Sequence, residues 1–170
     1  ELAQGSTLTV KNVSIEATYA LHNSFRPPFG PSGDSLGFLI KGSQELYFAG
    51  DTDVFPGMAE LCEQLDVALL PVWGWGPTLG EGHMDPHRAA EAAALLRPRL
   101  AIPIHWGTVY PVGLRWFRTH LLTQPPLTFA RQVDRLVPET RVRILLPGEA
   151  VDFPGQVEEP ATLWTPRSRV

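Results

Sequence analysis

LAIPIHWGT, residues Leu100–Thr108, carries an apolar run straight into a histidine and a glycine turn. Bounded by Pro98 and Gly107, the run Leu100–Ile104 reads as a short buried strand. In open α/β sheets, ligands collect outside the carboxyl ends of the strands. His105 therefore stands where backbone fixed by a sheet can aim a side chain at a ligand. Pro103 cannot donate to a ladder, so this strand is expected at a sheet edge or about to break. The plain alternative is a histidine that only packs and hydrogen-bonds at a strand end. The flanking sequence decides between the two.

Upstream, Asp85-Pro86 opens a helix, with the aspartate as N-cap and the proline at the first helical position. Ala89, Ala92, Ala93 and Leu96 form its packing face, small enough to lie close on a sheet. Before it come a loop rich in glycine and tryptophan, Pro71–Gly82, and an all-apolar strand, Val67–Leu70. Pro56–Leu65 spaces Met58, Leu61, Cys62 and Leu65 as one helical face. Ser35–Lys41 and Glu45–Ala49 are strands about a Gly42-Ser43-Gln44 turn. Asn23–Asp34 is dense in Pro, Gly, Ser and Asn and reads as a loop. Thr7–Thr18 alternates with period two about Lys11-Asn12, as a hairpin does. Downstream, Leu114–Leu122 and Leu127–Val137 read as two helices split by Gln124-Pro125-Pro126. Val142–Leu146 and Ala150–Phe153 read as short strands. Residues 1–155 form one domain and 156–170 a tail. Strand–helix–strand units after antiparallel hairpins give an α/β fold, a mixed sheet with helices on its face.

A chain of 170 residues supports one core. Apolar content of 44% and charged content of 19% describe a soluble globular protein. A net charge of −4 carries no electrostatic footprint for nucleic acid, and no apolar run is long enough to span a membrane. The single cysteine, Cys62, excludes an internal disulfide framework and fits a reducing, cytoplasmic setting. It reads as buried filler.

Four residues at strand ends or in adjoining loops could carry chemistry: His22, Asp51, His83 and His105. Imidazole and carboxylate suit zinc, manganese or iron. Gly50 lets the backbone at Asp51 approach a ligand closely; an Asx turn closing the strand is the alternative. His83 precedes the N-cap Asp85, where it can meet an oxyanion or a leaving group. His87 reads as solvated surface, His120 as a helix-terminal cation, and Asp53 as a turn residue. Trp73 and Trp75, among glycines, suit a pocket wall. The sequence holds no Gly-x-Ser-x-Gly elbow and no P-loop.

YFAGDTDVF (Tyr47–Phe55), DVALLPVWGWGPTLGEGHMDPHRAAEAAALLRP (Asp66–Pro98) and IPIHWGT (Ile102–Thr108) resemble, in order and spacing, the metallo-β-lactamase superfamily. They are most similar to the group of L-ascorbate-6-phosphate lactonase and N-acyl-phosphatidylethanolamine phospholipase D. That resemblance implies an αββα sandwich holding two divalent metal ions, zinc foremost, at loop ends. It implies Asp51 as the bridging carboxylate and His22 and His105 as metal ligands. It implies His83 as a group near the metals that contacts substrate. The family's His-x-His-x-Asp-His is absent from this chain, and Glu1 is not an initiator methionine. The expectation is a C-terminal half that works with an N-terminal half, from the same gene product or a separate chain.

The function implied is hydrolysis of an ester, lactone or phosphodiester by water shared between the two metals. Asp51 and His83 act in catalysis, and Trp73, Trp75 and the Phe25–Pro31 loop enclose a small-molecule substrate. The reading leaves room for a homo-oligomer. The alternative is a degenerate half-domain that binds a partner without catalysis.

Overall fold

A computed structural model describes residues 2–22, 30, 33–74, 79–107 and 120–152. Among these, seven strands make one sheet in sequence order. The period-two N-terminus forms the hairpin of β1 (Thr7–Val10) and β2 (Val13–Tyr19). Val10 pairs with Val13, so the turn is Lys11-Asn12, with Lys11 at φ 54°. β3 (Leu36–Lys41) and β4 (Glu45–Phe48) continue the antiparallel meander. From β4 onward the pairing is parallel, through β5 (Val67–Pro71), β6 (Leu100–Ile104) and β7 (Arg141–Val142). Helix α1 (Pro86–Leu96) makes the crossover from β5 to β6. This is the mixed α/β sheet expected from the sequence.

Strand alternation divides the sheet into two faces. On one, Leu39, Tyr47, Ala68, Leu70 and Ala101 are buried in a core with Ala89, Ala92 and Ala93 of α1 and Phe129 and Val133 of α2 (His120–Leu136). The alanines let α1 sit close to the strands. On the other face, one register row runs Leu8, Ile15, Ile40, Leu46, Val67, Leu100 across six strands. Leu145 and Val151 pack over the β5–β6 end of that row, around Val67, Leu100 and Ile102. Toward β1 the face is open, with Leu8 47% exposed, Val10 50% and Phe48 37%.

Of the two placements expected for Pro103, the edge strand does not hold and the strand about to break does, since β6 ends one residue later at Ile104. β6 lies between β5 and β7, one strand in from the edge. Leu100 donates to Asp66 and Ile104 accepts from Val72, so the even residues face β5. Ala101 accepts from Arg143, so the odd residues face β7. Pro103 is the odd residue at which that second ladder stops. Its missing N–H thus falls where β6 has no further partner, and its carbonyl accepts from the Trp106 indole at 3.0 Å. β7 is correspondingly shorter than the Val142–Leu146 strand expected. Beyond it, Glu149 turns back on Leu146 through backbone and carboxylate hydrogen bonds, and residues 150–152 form no strand.

Two helix assignments also change. Pro56–Leu65 is not a helix; only Met58–Glu60 makes a 3-10 turn, entered through Gly57 at φ 85°. Left-handed backbone there interrupts an α-helix, and Leu65 and Asp66 are drawn toward the sheet by bonds from Arg99 and to Glu45. Cys62 is accordingly half-buried, its thiol donating to the Glu45 carboxylate, rather than buried filler. Pro125 and Pro126 do not split two helices, because α2 runs through both. An interior proline costs about 3 kcal/mol. Against that, Pro126, Phe129, Val133 and Val137 form one buried stripe at spacings of three and four, and full burial of each apolar side chain contributes about 1.5–3 kcal/mol. Residues 108–119, where the first helix was to begin, and the tail over 156–170 lie outside the described residues.

Candidate metal centre

Asp51 follows β4 through Ala49 and Gly50. Gly50 has φ 69°, and a β-carbon there would stand 2.9 Å from the Leu36 carbonyl oxygen, so only glycine fits the turn. The turn delivers the Asp51 carboxylate to the carboxyl ends of the strands, one-quarter exposed. Its Oδ2 lies 3.2 Å from His83 Nε2, 3.7 Å from His105 Nε2 and 3.9 Å from His22 Nδ1. Its Oδ1 is buried with no hydrogen-bond partner among the described residues.

Each histidine is held by a backbone carbonyl. His22 Nδ1 donates to Gly82 at 3.1 Å, His83 Nδ1 to Glu81 at 3.3 Å and His105 Nδ1 to Trp73 at 2.6 Å. A carbonyl only accepts, so Nδ1 carries the proton and Nε2 keeps its lone pair in the neutral ring. In His83 and His105 such an outer hydrogen bond fixes the tautomer and leaves Nε2, the atom that faces Asp51, free for a metal; in His22 the atom nearest Asp51 is Nδ1 itself. His105 adopts φ 60°, left-handed backbone that a non-glycine residue rarely takes; such strain costs about 1–3 kcal/mol and collects at functional sites. The His22 and His83 rings meet edge to face, centroids 4.7 Å apart.

Two neighbours of His22 and His83 complete the frame. The Leu21 N–H donates to Thr52 Oγ1 at 2.8 Å, and the Asp53 N–H donates to the Leu21 carbonyl at 2.9 Å. His22 is thereby set against the Asp51 loop. Asp85 caps α1, accepting from His87 N–H and Arg88 N–H, which fixes His83 two residues earlier. Gly74 leaves room beside both rings: a β-carbon there would come within 3.7 Å of His83 Cδ2 and 3.9 Å of His105 Cε1.

The four residues singled out from sequence thus converge. The carboxylate faces two imidazole nitrogens that are themselves acceptors, Nε2 of His83 and Nε2 of His105, an arrangement that calls for a cation or protons between them. His22, Asp51 and His83 offer ligand atoms that all lie within 4.8 Å of one another. Neutral imidazole with carboxylate is a donor set that zinc, manganese and iron accept. Asp53 points elsewhere: its Oδ1 accepts from Val54 N–H and from Arg88 Nε, the turn role expected, with an ion pair added. That hydrogen bond pushes the Arg88 guanidinium further above its usual pKa. His87 is exposed, as read. His120 does not end a helix as expected, since α2 continues from it to Leu136. Trp73 contributes its carbonyl; Trp75 and residues 25–29 lie outside the described residues. Thr52, Arg88 and Gly74 were not singled out from sequence. Arg88, three residues past an N-cap, carried a weak signal; the backbone acceptors at Trp73, Glu81 and Gly82 carried none.

The chain is similar to known metal-dependent hydrolases over most of its length. Residues 1–106 match the model of the beta-lactamase superfamily domain. A UPF0173 metal-dependent hydrolase of Caldivirga maquilingensis is 32% identical over 154 residues, covering 88% of this chain and 58% of that protein. Another, from Deinococcus radiodurans, is 37% identical over 152 residues, covering 88% and 59%. Igni18, described as a metallo hydrolase from Ignicoccus hospitalis, superposes with TM-score 0.69 at 27% identity over 91% of this chain and 60% of that one. The chain therefore spans somewhat under two thirds of the length of these relatives.

Proposed function

This chain belongs to the metallo-β-lactamase superfamily, and we propose that it is the C-terminal half of a metal-dependent hydrolase built around Asp51. The observation that carries this reading is the Asp51 carboxylate, with three carbonyl-anchored histidines about Oδ2 and a buried, partnerless Oδ1. In this reading Asp51, His22 and His105 would hold the divalent metal, zinc before manganese or iron. Metal bound there supplies a Lewis acid and brings the pKa of water toward neutrality. Asp51 orients the attacking water through its second oxygen. His83 takes up a proton at Nε2, steadies the charge that develops on the substrate and hands that proton to the leaving oxygen. The substrate in this reading is a small ester, lactone or phosphodiester.

The other half of the sandwich, with the remaining metal ligands, comes from residues beyond this chain in the same gene product or from a separate chain. Two features support this. The sequence holds no His-x-His-x-Asp-His, and the apolar sheet face away from the helices is open toward β1. A single cysteine supports a cytoplasmic setting. No helix among the described residues is long and apolar enough to cross a membrane.

The test is hydrolysis by the full-length, zinc- or manganese-loaded gene product of three chromogenic substrates: an ester, a lactone and a phosphodiester. Turnover of at least one class, lost in Asp51→Ala, supports the proposal. A metal-loaded protein that turns over none of the three points to the non-catalytic binding module instead.

A further inference from the structure

The cluster is assembled from segments with no local sequence in common: the end of β2, the turn after β4 and the approach to α1. We propose that Asp53 is the positioning residue that holds these three segments in register, so that His22 and His83 reach Asp51. The inference rests on the metal-site reading above and assigns a role to a residue outside the ligand set.

Asp53 grips each segment by a different group. Its backbone N–H donates to the Leu21 carbonyl at 2.9 Å, and an isolated antiparallel bridge joins the two residues. Leu21 is the residue before His22. The Asp53 carbonyl accepts from Thr52 Oγ1 at 2.8 Å, and the same hydroxyl accepts from the Leu21 N–H. Thr52 is fully buried, so both polar groups of the Leu21 backbone are taken by the Thr52-Asp53 pair. The Asp53 carboxylate accepts from Arg88 Nε at 2.9 Å. Arg88 belongs to the first turn of α1, its own N–H capped by Asp85 at 2.8 Å, and His83 lies just before that cap. Asp53 Oδ1 also accepts from Val54 N–H at 2.7 Å, which fixes the carboxylate on its own loop. With that oxygen already shared by two donors, Asp53 acts through position and not as a ligand.

The experiment measures zinc affinity of the full-length gene product by competition with a chromogenic chelator, and the visible spectrum of its cobalt(II) form. Asp53→Asn keeps size and the bond from Val54; Arg88→Met keeps the aliphatic stem. Each is expected to weaken zinc binding by about three- to tenfold, the range between an exposed ion pair and a direct outer-sphere partner. The double variant should be no weaker than the worse single one, and Arg88→Lys should recover part of the loss. The cobalt(II) band intensities should change in both single variants, a readout that a loss of stability alone leaves unmoved. Affinities within about twofold of wild type, or losses that multiply in the double variant, overturn this proposal alone. A full-length wild-type protein that binds no zinc overturns the metal-site reading, and this proposal with it.

Discussion

The Nε2 atom of His83 stands 3.2 Å from Oδ2 of Asp51, nearer than the 3.7 Å of His105 or the 3.9 Å of His22. The histidine assigned to the leaving group is thus the one nearest the Asp51 carboxylate. His83→Ala should leave metal content intact and lower kcat, by ~10²–10⁴ for a lost acid–base group. His105→Ala should remove one metal per site. Metal content and kcat of the two variants in the full-length protein check this. Metal loss in His83→Ala would make His83 a ligand.

Leu8 and Val10 lie on the open sheet face, about half exposed. Leu8→Lys and Val10→Lys should change the stability of this chain by no more than about 0.5 kcal/mol, as surface substitutions do. They should also lower its aggregation and its fluorescence with a hydrophobic dye. A fall in Tm as large as that of a core truncation would show that the face is already covered.

Much of this was legible in advance because the sequence states it locally. Asp85-Pro86 announced the α1 cap, period two announced the β1–β2 hairpin, and Gly50 marked the tight turn before Asp51. The failures share a physical cause. The apolar spacing of Pro56–Leu65 fits a helix, but Gly57 and the pull of the sheet on Leu65 and Asp66 leave only a single turn. Pro125-Pro126 reads as a break, but the buried stripe of α2 overrides it. In both cases tertiary contacts outweighed local propensity. The four site residues could be named from strand ends and family motifs. The carbonyls that orient the histidines, and the ties from Asp53 to Leu21 and Arg88, depend on chain segments that meet only in three dimensions.

Gly37 faces a crowded polar corner. A β-carbon there would stand 2.7 Å from Thr18 Oγ1 and 3.1 Å from Tyr47 Oη, and burial already pushes the Tyr47 hydroxyl to a pKa of about 12. Gly37→Ala should destabilise the chain by about 1–3 kcal/mol through overpacking. Adding Thr18→Ala should restore part of it, because it removes the nearer atom. Denaturant midpoints of the three variants decide; an unchanged midpoint in Gly37→Ala would contradict the packing described.

Burial, then the hydrogen bond to Glu45, pushes the Cys62 thiol above its ordinary pKa. A raised pKa means less thiolate at any given pH, and the thiolate is the reactive form. Cys62 should therefore alkylate more slowly with iodoacetamide at pH 8 than a free cysteine, and Glu45→Gln should speed the reaction. The rate constants at one pH test this, and a wild-type rate equal to that of free cysteine would contradict it.

The most direct test of the account is zinc binding by the full-length wild type and its Asp51→Asn variant, measured by competition with a chelator under identical conditions. Asp51→Asn keeps shape and removes the charge that three histidines surround. The account predicts bound zinc in the wild type and loss of nearly all of it in the variant. Equal zinc affinity in the two proteins would contradict it, because the carboxylate at the centre of the cluster would then hold no metal.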